Sequence, residues 1–209
     1  MRVLTILAAF VACIALARAE APSVEFDGST YGLAFENQGQ PQNGQPGNSI
    51  AEFTLPGETV EDWSKLFAFH SFPTMGDDPL VAVEAVGEVV KQTNPDANFA
   101  IVEDKEKGEA IIDFLTWAPG SDVMEFNVFK YARAADRRGL VAMQYAQHIK
   151  VTDMSVDEMR DLRARTVEEM ADLDIDAAQD YFGSLDQSPG DSAAADSDAS
   201  TIAGAGRSD

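Results

Sequence analysis

Four consecutive stretches of this chain alternate apolar and polar residues, and that period of two constrains the fold more than anything else in the sequence. They read NFAIVED, EAIIDFLTW, DVMEFNVFKYARA and GLVAMQYAQHIKV. Successive side chains of a strand point to opposite faces, so the alternation predicts half-buried strands. In the last stretch Val141, Met143, Tyr145, Ile149 and Val151 share one face. The breaks DKEKGE, APGS and AADRRG are turn chemistry at hairpin spacing, which predicts an antiparallel meander.

Two further strands precede it. NSIAEFTL alternates through Ala51, Phe53 and Leu55. In EDWSKLFAFHSFP, a capping-box-like Thr59–Asp62 turn ends near Trp63. SKLFAFHSF then sends Phe67 and Phe69 one way and Leu66, Ala68, His70 and Phe72 the other. A strand apolar on both faces is covered on both faces, so these aromatics are expected in the core, with Trp63 as a plug at the sheet's end.

Two helices are predicted. One has Asp78 as N-cap and Pro79 in first position, carries Leu80, Val83, Val86 and Val90, and stops at Asn94–Pro95. The other opens on the capping box Ser155–Glu158 and carries Met159, Leu162, Val167, Met170 and Leu173. Each apolar stripe must be buried. The expected fold class is α+β, an antiparallel β-sheet with a strand meander flanked by two α-helices.

The ends differ in character from this middle. Residues 1–19 place Arg2 before an apolar run from Val3 to Leu16 and close on Ala17-Arg18-Ala19, the pattern of a signal peptide. From Ser184 to Asp209 the sequence is mostly Ser, Ala, Asp and Gly, a composition expected to stay disordered and acidic. Residues 20–183 then form a single domain, with Gln38–Asn48 as a long surface loop.

Chemistry is constrained mainly by exclusion. The one cysteine, Cys13, lies in the leader, so thiol nucleophiles, disulfides and Cys-ligated metals are not expected in the exported chain. Net charge is −21, which repels phosphate backbones and makes nucleic acid an improbable partner. His70 and His148 lie on separate strands without ligand spacing. The carboxylates Asp172, Asp174, Asp176 and Asp180 fit calcium-loop positions, but Ala177 replaces the required glycine and Gly183 the bidentate glutamate. No cofactor, metal or catalytic residue is expected.

The run FTLPGETVEDWSKLFAFHSF, the helix DPLVAVEAVGEVVKQTNP, AIVEDKEKGEAIIDFLTW and the meander ending GLVAMQYAQHIK resemble secreted bacterial proteins of the PsbP-like fold superfamily, including DcrB-type proteins. The resemblance covers about Phe53 to Leu173. It implies a sheet flanked by helices and a scaffold or adaptor role, with no catalytic motif to carry over.

Basic residues concentrate in one stretch: Lys130, Arg133, Arg137, Arg138 and Lys150. They are read either as a solvated hairpin tip or as a docking site for an acidic protein or the chain's own tail. Two functions stay open. One is a non-catalytic periplasmic or secreted scaffold, adaptor or assembly factor, with no membrane insertion. The other is a small-ligand binder or enzyme using a pocket between sheet and helix.

Overall fold

The computed structural model describes residues 21–41, 43–135 and 138–186. The expected leader, Arg137 and residues 187–209 of the expected tail lie outside them. Eight strands form one antiparallel sheet: β1 (Ser23–Phe26), β2 (Ser29–Asn37), β3 (Ser49–Thr54), β4 (Lys65–Phe72), β5 (Phe99–Asp104), β6 (Glu109–Trp117), β7 (Val123–Arg133) and β8 (Leu140–Lys150). Their order across the sheet is β1-β2-β3-β4-β8-β7-β6-β5. Helix α1 (Pro79–Thr93) connects β4 to β5, while α2 (Val156–Asp172) and α3 (Asp176–Asp186) follow β8. The α+β class and the β5–β8 meander stand as read from the sequence.

Local chemistry accounts for these elements. Asp78 accepts from the amides of Leu80 and Val81 at the head of α1, and Asn94 closes it. Ser155 and Glu158 form the reciprocal capping box of α2. The β1–β2 hairpin turns on Asp27-Gly28, both at positive φ (46° and 67°), the two-residue geometry that Asp-Gly favours. Helix α1 comes close to the sheet at Gly87, where an added Cβ would sit 2.7 Å from the Phe99 ring.

The alternation of each strand now feeds two cores. On one face Phe26, Phe53, Phe67, Phe69, Phe126, Val128, Met143 and Tyr145 pack under Leu162 and Met170 of α2 and Ala178 and Phe182 of α3. On the other, Ile112, Phe114, Tyr131, Leu140 and Ala142 pack under Ala82, Val83 and Val90 of α1. Phe67 and Phe69 therefore face α2 and α3, and Phe72 faces α1, as the alternation of β4 predicts.

Charge fixes where α2 lies. Arg163 Nη2 donates to Asp113 Oδ2 on β6 (2.9 Å), and Asp113 is nearly buried. Asp27, in the β1–β2 turn, accepts from Lys65 Nζ (2.7 Å), Arg165 Nε (2.9 Å) and the Tyr145 hydroxyl (3.2 Å). Its own amide donates to Glu169 Oε1 (2.9 Å). Burial opposes the charge on Asp27, but the two cations outweigh it and hold the carboxyl below its usual range. One side chain thus ties the first hairpin to β4, β8 and α2.

Three features differ from expectation. The N-terminal hairpin β1–β2 was not anticipated. Among the described residues there are three helices rather than two, because the helical stretch breaks at Leu173 to Ile175 and α3 extends through Asp186, past the expected start of the tail at Ser184. Thr59 and Asp62 pair as an isolated bridge rather than capping a turn of helix. The carboxylate of Glu58 instead accepts from the Ser64 amide and hydroxyl (3.0 and 2.6 Å).

Candidate functional site

The four basic residues that are described do not form one surface. Lys130 is wholly buried, ion-paired with Glu109 (2.9 Å) and donating to the carbonyls of Ala171 (3.3 Å) and Leu173 (2.6 Å). It satisfies carbonyls at the end of α2 that have no helical partner, and its charge suits that end of the helix dipole. This corrects its expected place in a docking site: a side chain with no accessible surface cannot meet a partner. Arg133 pairs with Asp77 (3.3 Å) at the C-terminal end of β7, and Arg138 is exposed and lines a hollow with it. Lys150 pairs with Val123, whereas Arg133 pairs with Leu140. Lys150 and Arg133 therefore lie at opposite ends of the hairpin, roughly 33 Å apart at about 3.3 Å per residue. Arg137 is outside the described residues. Among the described four, Arg133 and Arg138 line one hollow.

The two histidines, distant in sequence, are joined by side chains that register aligns across β4, β8 and β7. Glu125 Oε1 accepts from Asn127 Nδ2 (2.8 Å), and Asn127 Oδ1 accepts from Gln144 Nε2 (2.9 Å). Gln144 Oε1 is left to accept from His70 Nε2 (2.9 Å). A carboxylate can only accept, so Glu125 orients both amides and places the His70 proton on Nε2. At the other end His148 Nδ1 donates to the Trp63 carbonyl (3.0 Å) and Nε2 lies 3.4 Å from Glu125. The Trp63 indole stacks on the His148 ring at 3.8 Å. Trp63 thus closes the sheet's end against a histidine, which the sequence did not reveal.

This chain is a structural brace. Its polar atoms bond to one another, and neither histidine lines any of the cavities described below. His70 is walled by Phe72, Phe129 and Gln144 although part of its ring reaches the surface. Burial pushes its imidazole down to about 4, against the opposing bond from Gln144. The unfolded chain therefore takes up this proton near its ordinary value of about 6.5, before the folded chain does. The contribution of His70 to stability should be flat above that value, fall as pH drops toward about 4, and level below it. Urea unfolding across this range should show the slope in the parent and a shallower one in His70→Gln. Asp27, held low, contributes stability that is fully present above its ordinary carboxylate range and is lost only as pH falls below it.

From Asp176 to Gly183 the segment is helix where a calcium loop would be needed. Asp174 Oδ1 accepts from the Asp176 amide (3.0 Å) and opens α3, so these carboxylates cap and flank a helix. Among the described residues no group of three His, Cys, Asp or Glu could hold a metal ion.

A cavity of about 460 Å³ opens where α2 gives way to α3. Phe53, Phe67, Phe69 and Met143 form its floor, Tyr181 and Leu173 its wall, and Glu25, Asp174 and Ala177 stand at its exposed rim. Tyr181 meets Phe53 edge-on at 6.1 Å and Phe69 at 5.7 Å. Its hydroxyl donates to Glu36, and burial, with Glu36, pushes the phenol well above its ordinary range. A larger hollow of about 610 Å³ between the start of α1 and the β5–β6 turn is lined by charged groups, including Asp77, Asp104, Lys107 and Arg133. Those charges are largely occupied, since Arg133 binds Asp77 and Asp104 caps its own turn. The apolar cavity is the better candidate, because its floor is aromatic and its polar groups are confined to the rim.

A protein-family model matches residues 19–175, from before β1 to just short of α3. No curated protein and no solved structure matches the chain.

Proposed function

The chain belongs to the family whose model spans residues 19–175, and from that premise we propose that it is an exported, non-catalytic binding protein holding a small apolar ligand between its sheet and α3. The observation that carries this reading is the cavity over Phe53, Phe67, Phe69 and Met143, of a size within the usual range for ligand sites of about 300–1,000 Å³. The closed hydrogen-bond chain of the histidines supports a role without catalysis. Export is supported by the leader pattern of residues 1–19 and by the only cysteine lying within it. Among the described residues no helix is long and apolar enough to cross a membrane. The likeness to PsbP-like secreted proteins belongs to the same reading, as a sheet-and-helix domain that binds rather than reacts.

Nile red, a neutral apolar fluorophore, tests it. Its emission should shift to the blue and saturate on titration with the purified protein. Ala177→Trp, which places an indole at the exposed rim, should abolish the signal without lowering the melting temperature. Emission unchanged by the parent protein, or equal with parent and variant, overturns the reading.

A second reading, as a scaffold or adaptor, is favoured by one observation. Val81 and Val89 on the outer side of α1 are each 59% exposed, with exposed Ala85 between them. An outward apolar stripe on a helix whose inner side is already buried suits contact with another protein.

A further inference from the structure

The cavity has a chemical asymmetry: an apolar, electron-rich interior and an anionic entrance. Tyr181 lines it, and the buried aromatics Phe53, Phe67 and Phe69 lie beneath it. The faces of such rings attract cations electrostatically. Glu25 on β1 and Asp174 before α3 both line the opening and are exposed. Among the described residues neither carboxylate is paired with a cation. Asp174 uses only Oδ1, to accept from the Asp176 amide.

Cations on the neighbouring elements are committed elsewhere, Lys107 donating to the Ala171 carbonyl (3.4 Å). Lys130, beside Met143 in the sheet register, is bound by Glu109 and two carbonyls. Lys65 and Arg165 are both held by Asp27. The further carboxylates Asp176 and Asp180 lie on α3 itself. A ligand with an anionic head would meet two like charges at the rim and no positive partner. A neutral apolar ligand would use the floor but not the entrance.

We propose that the cavity is built for an apolar cation, an amine or quaternary ammonium whose hydrophobic body lies against Val24, Leu173 and Tyr181, above the buried Phe53, Phe67, Phe69 and Met143, while its charge sits at the mouth beside Glu25 and Asp174. The proposal rests on the reading of this cavity as the ligand site and names the ligand class. The cation gains from both carboxylates and from the Tyr181 ring, and the body gains by leaving water.

Three probes with one body and different heads separate the parts of this claim: 4-phenylbutylamine, 4-phenylbutanol and 4-phenylbutyrate, each titrated calorimetrically into the purified protein. The amine should bind about tenfold or more tighter than the alcohol, the ratio that roughly 1.4 kcal/mol of head-group attraction produces. The carboxylate should bind weakest. Glu25→Gln combined with Asp174→Asn should erase the amine's advantage while leaving affinity for the alcohol unchanged, and raised salt should act in the same direction. Equal binding of the three probes would overturn the cation and leave the apolar site standing. No binding of any probe would overturn both. Amine binding that survives Ala177→Trp would place it at the acidic surface and also overturn the proposal.

Discussion

Replacing Lys130 by alanine is expected to cost about 3–5 kcal/mol of folding stability, the usual consequence of removing one partner of a buried ion pair. The magnitude follows from what is left behind. Glu109, whose side chain is only 11% exposed, would keep a charge without a counter-charge. The carbonyls of Ala171 and Leu173 would lose their donor where α2 ends. Arg133→Ala provides the contrast within the same strand. Its side chain and that of Asp77 are 65% and 63% exposed, so the loss should stay within about 1 kcal/mol. Urea unfolding of both variants reads the difference, and similar small losses in the two would show that Lys130 is not the lock described. Lys130→Met with Glu109→Gln should recover most of the loss, because an apolar stem replaces the cation and no unpaired charge remains.

Phe67→Ala should be comparably severe, at about 3–5 kcal/mol for a fully buried phenylalanine. Its ring lies 5.3 Å from Phe26, 5.9 Å from Phe69 and 6.4 Å from Tyr31, and no part of it is exposed. Truncation removes its buried surface and leaves a void the strand cannot close, since β4 is held by β3 on one side and β8 on the other. Trp63→Ala, four residues before Phe67, should cost only about 0.5–1.5 kcal/mol, the worth of an aromatic pair. Trp63 is half-buried and stacks on one ring, that of His148. Thermal unfolding of the two variants divides the aromatic stretch into core and edge. A Phe67→Ala protein melting with the parent would remove this residue from the core.

What the sequence disclosed was what neighbours in the chain decide. Asp78-Pro79 and Ser155–Glu158 announce their helices because capping is settled within one turn. The alternation of β4 sorted Phe67 and Phe69 from Leu66 and Phe72 correctly because a strand's faces follow from period alone. The first hairpin carried a legible signal, Asp27-Gly28 between alternating segments, but β2 interleaves its Tyr31 and Leu33 with small residues and reads weakly. Helix α3 has few large apolar anchors, chiefly Phe182 and Leu185, so its composition resembles the tail that follows.

Partners distant in sequence were the main source of error. Lys130 looked like part of a basic surface because a lysine in isolation belongs in water. Its burial depends on Glu109 and on helix carbonyls that no local pattern places beside it. The hydrogen-bond chain from His70 to His148 likewise exists only after β4, β8 and β7 are in register. The cavity's floor was read as core from its aromatics, and it is core. Its opening comes from the break between α2 and α3, a matter of where a helix stops above a sheet.

The strand order also has a consequence for how the chain reaches this state. β1 through β4 pair in sequence order, as do β5 through β8, so the sheet is two local ribbons joined only where β4 meets β8. Each ribbon can assemble from contacts between adjacent segments, whereas the β4–β8 seam must close a long loop that contains α1 and three strands, and loop closure of that kind slows folding. Until it closes, Phe67 and Phe69 on one ribbon and Met143 and Tyr145 on the other lie along bare strand edges, which are templates for pairing with another chain. Aggregation during synthesis is therefore concentrated at one internal edge of each ribbon, and the event that removes the hazard is the same one that completes the floor of the cavity.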